Sequence, residues 1–249
     1  MKREKIVLSE MSFEEFSGMV EVSMENICRD IFHENRDSIK IKKENVAVKN
    51  LTVIFNTTLK LSNTMGFQAM SLRDLTAASG LSMGALYSYF KSKDELAKII
   101  QEQGRRITGD ILREEISKGV NLTDRMHRAV KAHLYLSEVM QEWFYFSFME
   151  AKNLSRDEQK KAVESELLTE KIFSDIIAEG AKSGIFRKVN PLLTASIIKG
   201  MLQDWYLKRG KYKKRGITVE AYADFVIEFV ESFIMMNEKH MKGGRNGNN

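Results

Sequence analysis

Proline is almost absent: Pro191 stands alone in a chain of 249 residues. Proline in a helix interior costs about 3 kcal/mol, so a chain that avoids it is free to be helical nearly throughout. Cysteine is as scarce. Cys28 has no second cysteine to pair with, which excludes an internal disulfide framework and fits a reducing compartment. No apolar run approaches the roughly 18 residues of a membrane-crossing helix. The charged start Met1-Lys2-Arg3-Glu4-Lys5 is followed by no apolar stretch of a secretory signal, so a cytoplasmic protein without a membrane partner is expected. The histidines His33, His127, His133 and His240 lack metal-ligand spacing, and no glycine motif for nucleotides occurs. Neither metal nor cofactor is expected.

What is present is enough for a sizeable core: 43% apolar residues, with 29% charged ones to cover it. The charge is unevenly placed. Eleven basic and five acidic residues lie between Lys40 and Arg106, and this stretch holds the whole of the net +5. A local excess of this kind marks either a solvated basic face or a polyanion-binding module on a near-neutral body.

Helical periodicity runs along the chain. Phe13, Phe16, Val20, Met24, Ile27 and Ile31 form one stripe, opened by a capping box of Ser12 and Glu15. This extension, residues 1–39, must bury its stripe on its own protein or on a partner; the second option makes the chain a helical adaptor. A helix follows from Asn45 to Gly66. Two short helices come next, the first capped by Ser71 with Asp74 and stopped at Gly80, the second capped by Ser82 with Ala85, Leu86, Tyr89 and Phe90 inside. Ser92 and Glu95 open a longer helix. The remainder reads as long helices with breaks at 119–121, 153–157, 183–184 and 208–216, and Asn190-Pro191 is a cap followed by proline at the first helical position. No strand is expected, and residues 242–249 form a polar tail with no means of packing.

Two short helices about a glycine turn inside the basic stretch make a helix-turn-helix, with Ala77, Ala78, Gly80, Gly84 and Ala85 small enough for close packing. Gly80-Leu81-Ser82-Met83-Gly84 also spells the nucleophile elbow of serine hydrolases. That elbow needs a strand before its serine, and a helical pattern precedes Ser82, so no enzyme is expected.

Residues 54–96 resemble the DNA-binding domain of the tetracycline-repressor (TetR) family of bacterial regulators. The likeness rests on Gly66-Phe67, on Ser71-Leu72-Arg73-Asp74-Leu75, on Gly80-Leu81-Ser82-x-Gly84-x-Leu86-Tyr87-x-Tyr89-Phe90, and on Lys91-Ser92-Lys93-Asp94-Glu95-Leu96. It implies an all-α fold with a helix-turn-helix DNA-binding domain (40–96) followed by a larger ligand-binding and dimerisation domain (97–241). It further implies a regulator, in most cases a repressor, that holds palindromic double-stranded DNA as a homodimer and is released by a small effector. Ser71, Tyr87, Tyr89 and Lys93 would hold phosphates, while Ser82, Met83, Gly84, Ala85 and Ser88 would face the groove as residues 81–90 lie in it. Met83 and Ala85 stand where the family commonly has polar residues; they suit thymine methyls and cannot make bidentate hydrogen bonds. Lys42 and Lys43, ahead of the first helix, are either solvated or an arm along the DNA backbone.

Within the body the resemblance places a dimer surface on the last two long helices, for which Gly200, Leu202, Trp205, Phe225, Phe229 and Phe233 are the candidates. The segment 143–149 is apolar all round and is expected to be buried on most sides. Trp143, Phe144, Phe146, Phe148 and Met149, with Met126, Met140 and Met201, would line a pocket for an apolar or acyl-like effector. The basic run 208–215 sits where a helix is expected to end, where cations suit the dipole.

Overall fold

The structure is a computed structural model that describes residues 11–19 and 24–236; Val20, His240 and the tail 242–249 lie outside the described residues. The fold is all-α. In chain order the helices are α1 (Phe13–Met19), α2 (Met24–Glu34), α3 (Glu44–Met65), α4 (Leu72–Ser79), α5 (Met83–Leu86), α6 (Lys93–Ser117), α7 (Leu122–Val139) and α8 (Gln141–Glu150). A 3-10 turn, Ala151–Asn153, leads to α9 (Arg156–Lys182), α10 (Pro191–Leu207), α11 (Arg209–Lys214) and α12 (Val219–Ile234). The described residues contain no strand, only a single antiparallel bridge between Phe186 and Met235. No described helix is long and apolar enough to cross a membrane.

The chain divides into two compact units, each assembled from separate stretches of sequence. The helix-turn-helix unit comprises residues 17–109 and 139–165; the body unit comprises residues up to 16, 110–138 and 166 onward. Helices α6 and α9 contribute residues to both.

In the helix-turn-helix unit, α3 is the central helix, burying Val48, Leu51, Ile54, Phe55 and Leu59. Helix α2 packs on it with Ile27, Cys28, Ile31 and Phe32, all 5% exposed or less. Of the N-terminal stripe, the described residues Phe16, Ile27 and Ile31 are buried within their own protein, and the apolar face of α2 is taken up by α3 rather than left free for the adaptor reading. Burial also pushes the Cys28 thiol up to about 12, which leaves it an inert apolar side chain. Polar contacts fasten α2 to α6: Gln103 donates to Glu34 at 2.7 Å, and Arg106 pairs with Glu34 and Asp30.

Helix α8 packs on α3 through Trp143 and Phe146, the latter edge-on to Phe67 at 5.4 Å. Trp143 donates its indole N–H to the Ile100 carbonyl at 3.0 Å. Gly104 makes that approach possible, since a Cβ there would fall 2.5 Å from the indole nitrogen. The expectation that 143–149 is buried on most sides is corrected. Only one side of this ten-residue helix packs, and Phe148 and Met149 are exposed.

In the body unit, α7 is the most buried helix. Phe13 and Phe16 of α1 meet its Tyr135 edge-on at 5.5 and 5.7 Å, and the Phe13 N–H donates to Glu220 at 3.1 Å. The turn between α6 and α7 is held by a buried ionic group, in which Arg128 lies 3.3 Å from Asp124 and 3.6 Å from Glu115. The break expected at 208–216 contains a short helix, α11, because Tyr212 turns inward and stacks on Trp205 at 5.0 Å. Asp204 gathers Lys208, Lys211 and the Tyr212 hydroxyl. Burial works to raise its pKa, but these hydrogen bonds outweigh it and hold the carboxyl well below the usual range.

Candidate nucleic-acid interface

The two short helices are fixed by their caps. The Ser71 hydroxyl accepts the Asp74 N–H at 3.2 Å while the Asp74 carboxylate accepts the Ser71 N–H at 2.8 Å. The Ser71 hydroxyl also donates to that carboxylate at 2.6 Å, and this bond, with the one from the Ser71 N–H, holds the Asp74 carboxyl below its ordinary value. Gly80 ends α4 at φ 71°, a left-handed conformation that glycine adopts without strain. The Ser82 hydroxyl then accepts the Ala85 N–H at 3.2 Å and opens α5. The α-helix closes after Leu86. Beyond it the chain continues in turns, with Ser88 N–H to Ala85 and Tyr89 N–H to Leu86, so the cylinder expected over 81–90 is one α turn followed by tighter ones.

Leu86 is fully buried and orients this segment; its outer surface carries Ser82, Gly84 and Tyr87, all exposed, with Met83, Ala85 and Ser88 half-buried between them. Ser71 is exposed at the start of α4. The Ser88 carbonyl accepts the Lys40 N–H at 2.9 Å, and its hydroxyl donates to the Gly84 carbonyl at 3.0 Å. The first bond sets the segment before α3 beside the turns that follow α5, with the side chains of Lys40, Lys42 and Lys43 exposed. Nothing in the residue pattern signalled that main-chain bond.

Two residues expected on phosphates are taken up inside the unit. Tyr89 is 4% exposed, and its hydroxyl accepts a hydrogen bond from Asn50 at 2.9 Å; burial raises its pKa. Lys93 donates to the carbonyls of Phe67, Gln68 and Met70 at 2.8, 3.0 and 2.9 Å, and stands 4.9 Å from the Phe67 ring centre. The turn between α3 and α4 aims three carbonyls at one point, and the three N–H groups of an ammonium satisfy them. The Ser82 hydroxyl, preceded by a helix and used as a cap, has no nucleophile-elbow geometry.

The eight expected pocket residues are divided between the two units. Met126 and Met201 belong to the body unit, while Met140, Trp143, Phe144, Phe146, Phe148 and Met149 belong to the other. Met126, Trp143 and Phe146 are core side chains. A cavity of about 460 Å3 does lie in the body unit, with Arg113, Ile116, Arg125, Ile172, Asp175 and Ile176 among its walls and none of the eight. Apolar periodicity could not reveal it, because half of these residues are charged.

The dimer candidates divide cleanly. Leu202 and Trp205 are wholly buried within the chain, so the expectation that they face a second copy is corrected. Trp205 donates to Glu138 at 3.0 Å beneath the Arg209 guanidinium, itself bidentate on Glu138. Gly200, Phe225, Phe229 and Phe233 are exposed, and so are Leu192, Leu193 and Ile197 of α10. In the basic run, Lys208, Arg209 and Lys211 are paired with acids, leaving Lys213, Lys214 and Arg215 in solvent.

Two family models match the chain: one for bacterial regulatory proteins of the tetR family over residues 54–100, and one for the tetracyclin repressor-like C-terminal domain over 119–230. No curated protein sequence matches. Among solved structures, a regulatory protein of the tetR family from Rhodococcus RHA1 is 19% identical at a TM-score of 0.69, covering 76% of this chain and 99% of its own. The ketosteroid transcriptional regulator KstR2 of Mycobacterium tuberculosis is 16% identical at a TM-score of 0.67, covering 80% and 99%. AibR in complex with isovaleryl coenzyme A and operator DNA is 19% identical at a TM-score of 0.63, covering 72% and 95%. At these identities the structures share a fold. With both the helix-turn-helix and the C-terminal domain matched in order, the chain belongs to the tetR family of bacterial regulatory proteins.

Proposed function

We propose that the protein is a transcriptional repressor that grips a palindromic operator as a homodimer and lets go when a small molecule occupies its body unit. The observation that carries the reading is the capped α4–α5 pair, which turns Ser82, Met83, Gly84 and Tyr87 outward while Leu86 is locked inside. Ser71 and Tyr87, with the arm residues Lys42 and Lys43, hold phosphates and set position and salt dependence. Ser82, Met83, Gly84, Ala85 and Ser88 meet the base edges, where the methionine and alanine favour thymine methyls. Tyr89 and Lys93 act from within, as positioning residues.

Two copies pair through the outer faces of α10 and α12. Phe225, Phe229 and Phe233 are 65, 52 and 45% exposed, and Leu192, Leu193 and Ile197 are all more than 60% exposed. So many large apolar side chains in solvent are unusual for a monomer and typical of an interface core. Gly200, without a side chain, gives the partner backbone room. A two-fold pair reads half-sites about 34–36 Å apart or multiples of that. The solved relative AibR supports effector control, having been seen with both operator DNA and isovaleryl coenzyme A.

The test is an electrophoretic shift with duplexes from the region flanking the protein's own coding sequence, with the mass of the free protein measured by light scattering. The reading expects a dimer in solution and a discrete complex on one palindrome. A monomer, or equal binding to every duplex, contradicts it.

A further inference from the structure

The basic run 208–215 divides into cations that hold the fold and cations that do not. Lys208 and Lys211 both pair with Asp204, and Arg209 is bidentate on Glu138, so three of the six hold α11 in place. Tyr212 turns inward, stacked on Trp205 at 5.0 Å and 4.7 Å from the Tyr222 ring centre. The turn behind it is closed by the N–H groups of Arg215 and Ile217, which donate to the Tyr212 carbonyl at 3.0 and 3.1 Å. Lys213, Lys214 and Arg215 stand exposed on this fixed turn, and none of them pairs with a carboxylate among the described residues.

We propose that Lys213, Lys214 and Arg215 are a second contact to the phosphate backbone of duplex DNA, outside the helix-turn-helix. This rests on the DNA-binding reading above and adds to it a set of residues in the body unit. The chemistry of the exposed surface favours phosphodiesters over other acidic partners. Tyr212, the one aromatic residue of the run, is 6% exposed, so what remains outside is charge alone. A membrane-surface helix needs an apolar face, and a protein interface needs large apolar anchors. A polyphosphate needs neither, since cations bind it by releasing its counterions.

The anchoring favours the same partner. Glu138, which holds Arg209 and accepts the Trp205 indole N–H at 3.0 Å, is the last residue of the body before the chain passes into the helix-turn-helix unit at Val139. The run is therefore tied to that end of α7, and about 25 Å of α10 separates it from Pro191. A turn that is already fixed presents its charges without the entropic cost of ordering the main chain on binding. Cations there also suit the dipole of α11, but that role would show in stability and leave salt dependence alone.

The experiment is a salt titration by fluorescence anisotropy on two duplexes of equal length, the flanking duplex that the wild type binds best and one of scrambled sequence. The triple variant Lys213→Ala/Lys214→Ala/Arg215→Ala is compared with the wild type. A contact that carries no sequence information is expected to weaken both duplexes alike, about tenfold at about 100 mM salt, and to flatten the salt slope by roughly 0.9 for each phosphate lost. The melting temperature should stay that of the wild type. Lys182→Ala/Lys188→Ala, which removes exposed cations ahead of the other end of α10, should leave both slopes unchanged. Unchanged slopes in the triple variant overturn the proposal, as does an equal loss in the double variant, which assigns the effect to net charge. Lost binding to phosphatidylglycerol vesicles with the DNA slopes intact overturns it in favour of a membrane. If the wild type prefers neither duplex, the operator reading fails while the scrambled duplex still tests the run. If the triple variant matches a wild type that does discriminate, the run fails and the operator reading stands.

Discussion

Lys199 Nζ lies 2.7 Å from His133 Nε2 inside the body unit, with lysine and histidine 8 and 0% exposed. Two basic groups share one buried site, and both are pushed toward neutrality. Burial lowers His133 well below its ordinary value, and the Lys199 charge adds to the effect. Burial likewise lowers Lys199 to about 8, against the pull of Glu166 and Glu170 on α9.

Stability should therefore depend on pH in two windows. Between about 8 and 10.5 the unfolded chain keeps a proton on Lys199 that the folded chain has lost, so the contribution of Lys199 to stability rises as pH climbs, against the Cys28 thiol, whose raised pKa works the other way above about 9. Below 6.5 the unfolded chain protonates His133 while the folded chain resists, so stability falls as pH drops. Lys199→Met should remove the alkaline rise, which is worth on the order of 2–3 kcal/mol. Urea titrations at pH 7, 8.5 and 10 on both proteins provide the check; an alkaline slope that survives the substitution contradicts this account of the pair.

Lys93 should prove a structural residue. Lys93→Met leaves the carbonyls of Phe67, Gln68 and Met70 without their shared donor, and the expected cost is about 2–3 kcal/mol in a thermal or urea melt. Its salt slope for DNA should match the wild type at a temperature where both are folded. A Lys42→Ala/Lys43→Ala double variant should do the reverse, leaving stability alone and flattening the slope by roughly 0.9 for each lost phosphate contact.

The two kinds of apolar residue on α10 and α12 should separate experimentally. Phe229→Glu places a charge on an exposed ring and is expected to give a folded monomer by light scattering, with operator binding lost. Leu202→Ala empties a fully buried site and should lower stability by about 2–5 kcal/mol without selectively dissociating the dimer.

The extension is part of the fold and should behave so. Phe32→Ala removes a ring that is 2% exposed, at an expected cost of about 3–5 kcal/mol, and deletion of residues 1–39 should be worse, since Phe16, Ile27 and Ile31 go with it. A deletion variant with the melting temperature of the full chain is the contrary result.

What could be read from the residues alone was mainly local. The caps at Ser12, Ser71, Ser82 and Asn190 appear where short polar side chains precede apolar periodicity, and the structure shows each accepting a backbone N–H. Gly80 stops α4 because only its φ demanded glycine there. Burial was harder, since spacing names a face without saying what lies against it. Phe225, Phe229 and Phe233 share a stripe at i, i+4 and i+8 that looks like core, yet Val226, Val230 and Ile234, one residue on from each, are the ones packed inside. Lys93 reads as a free cation because its three carbonyl partners lie more than twenty residues away in sequence. The cavity escaped notice for the same reason: Arg113, Arg125 and Asp175 meet only through the tertiary fold.

The outer surface of α5 and the turn after it are proposed to read duplex DNA. Fluorescence anisotropy with the best flanking duplex, titrated from 50 to about 300 mM salt, tests it with wild type and Tyr87→Ala side by side. Tyr87 is 45% exposed, and its only hydrogen bond among the described residues is made by its backbone, which alanine keeps, so the variant should fold normally. Saturable binding that falls steeply with salt is expected, with about tenfold weaker binding in the variant at every concentration. Binding that is indifferent to salt, or identical in the two proteins, would contradict it.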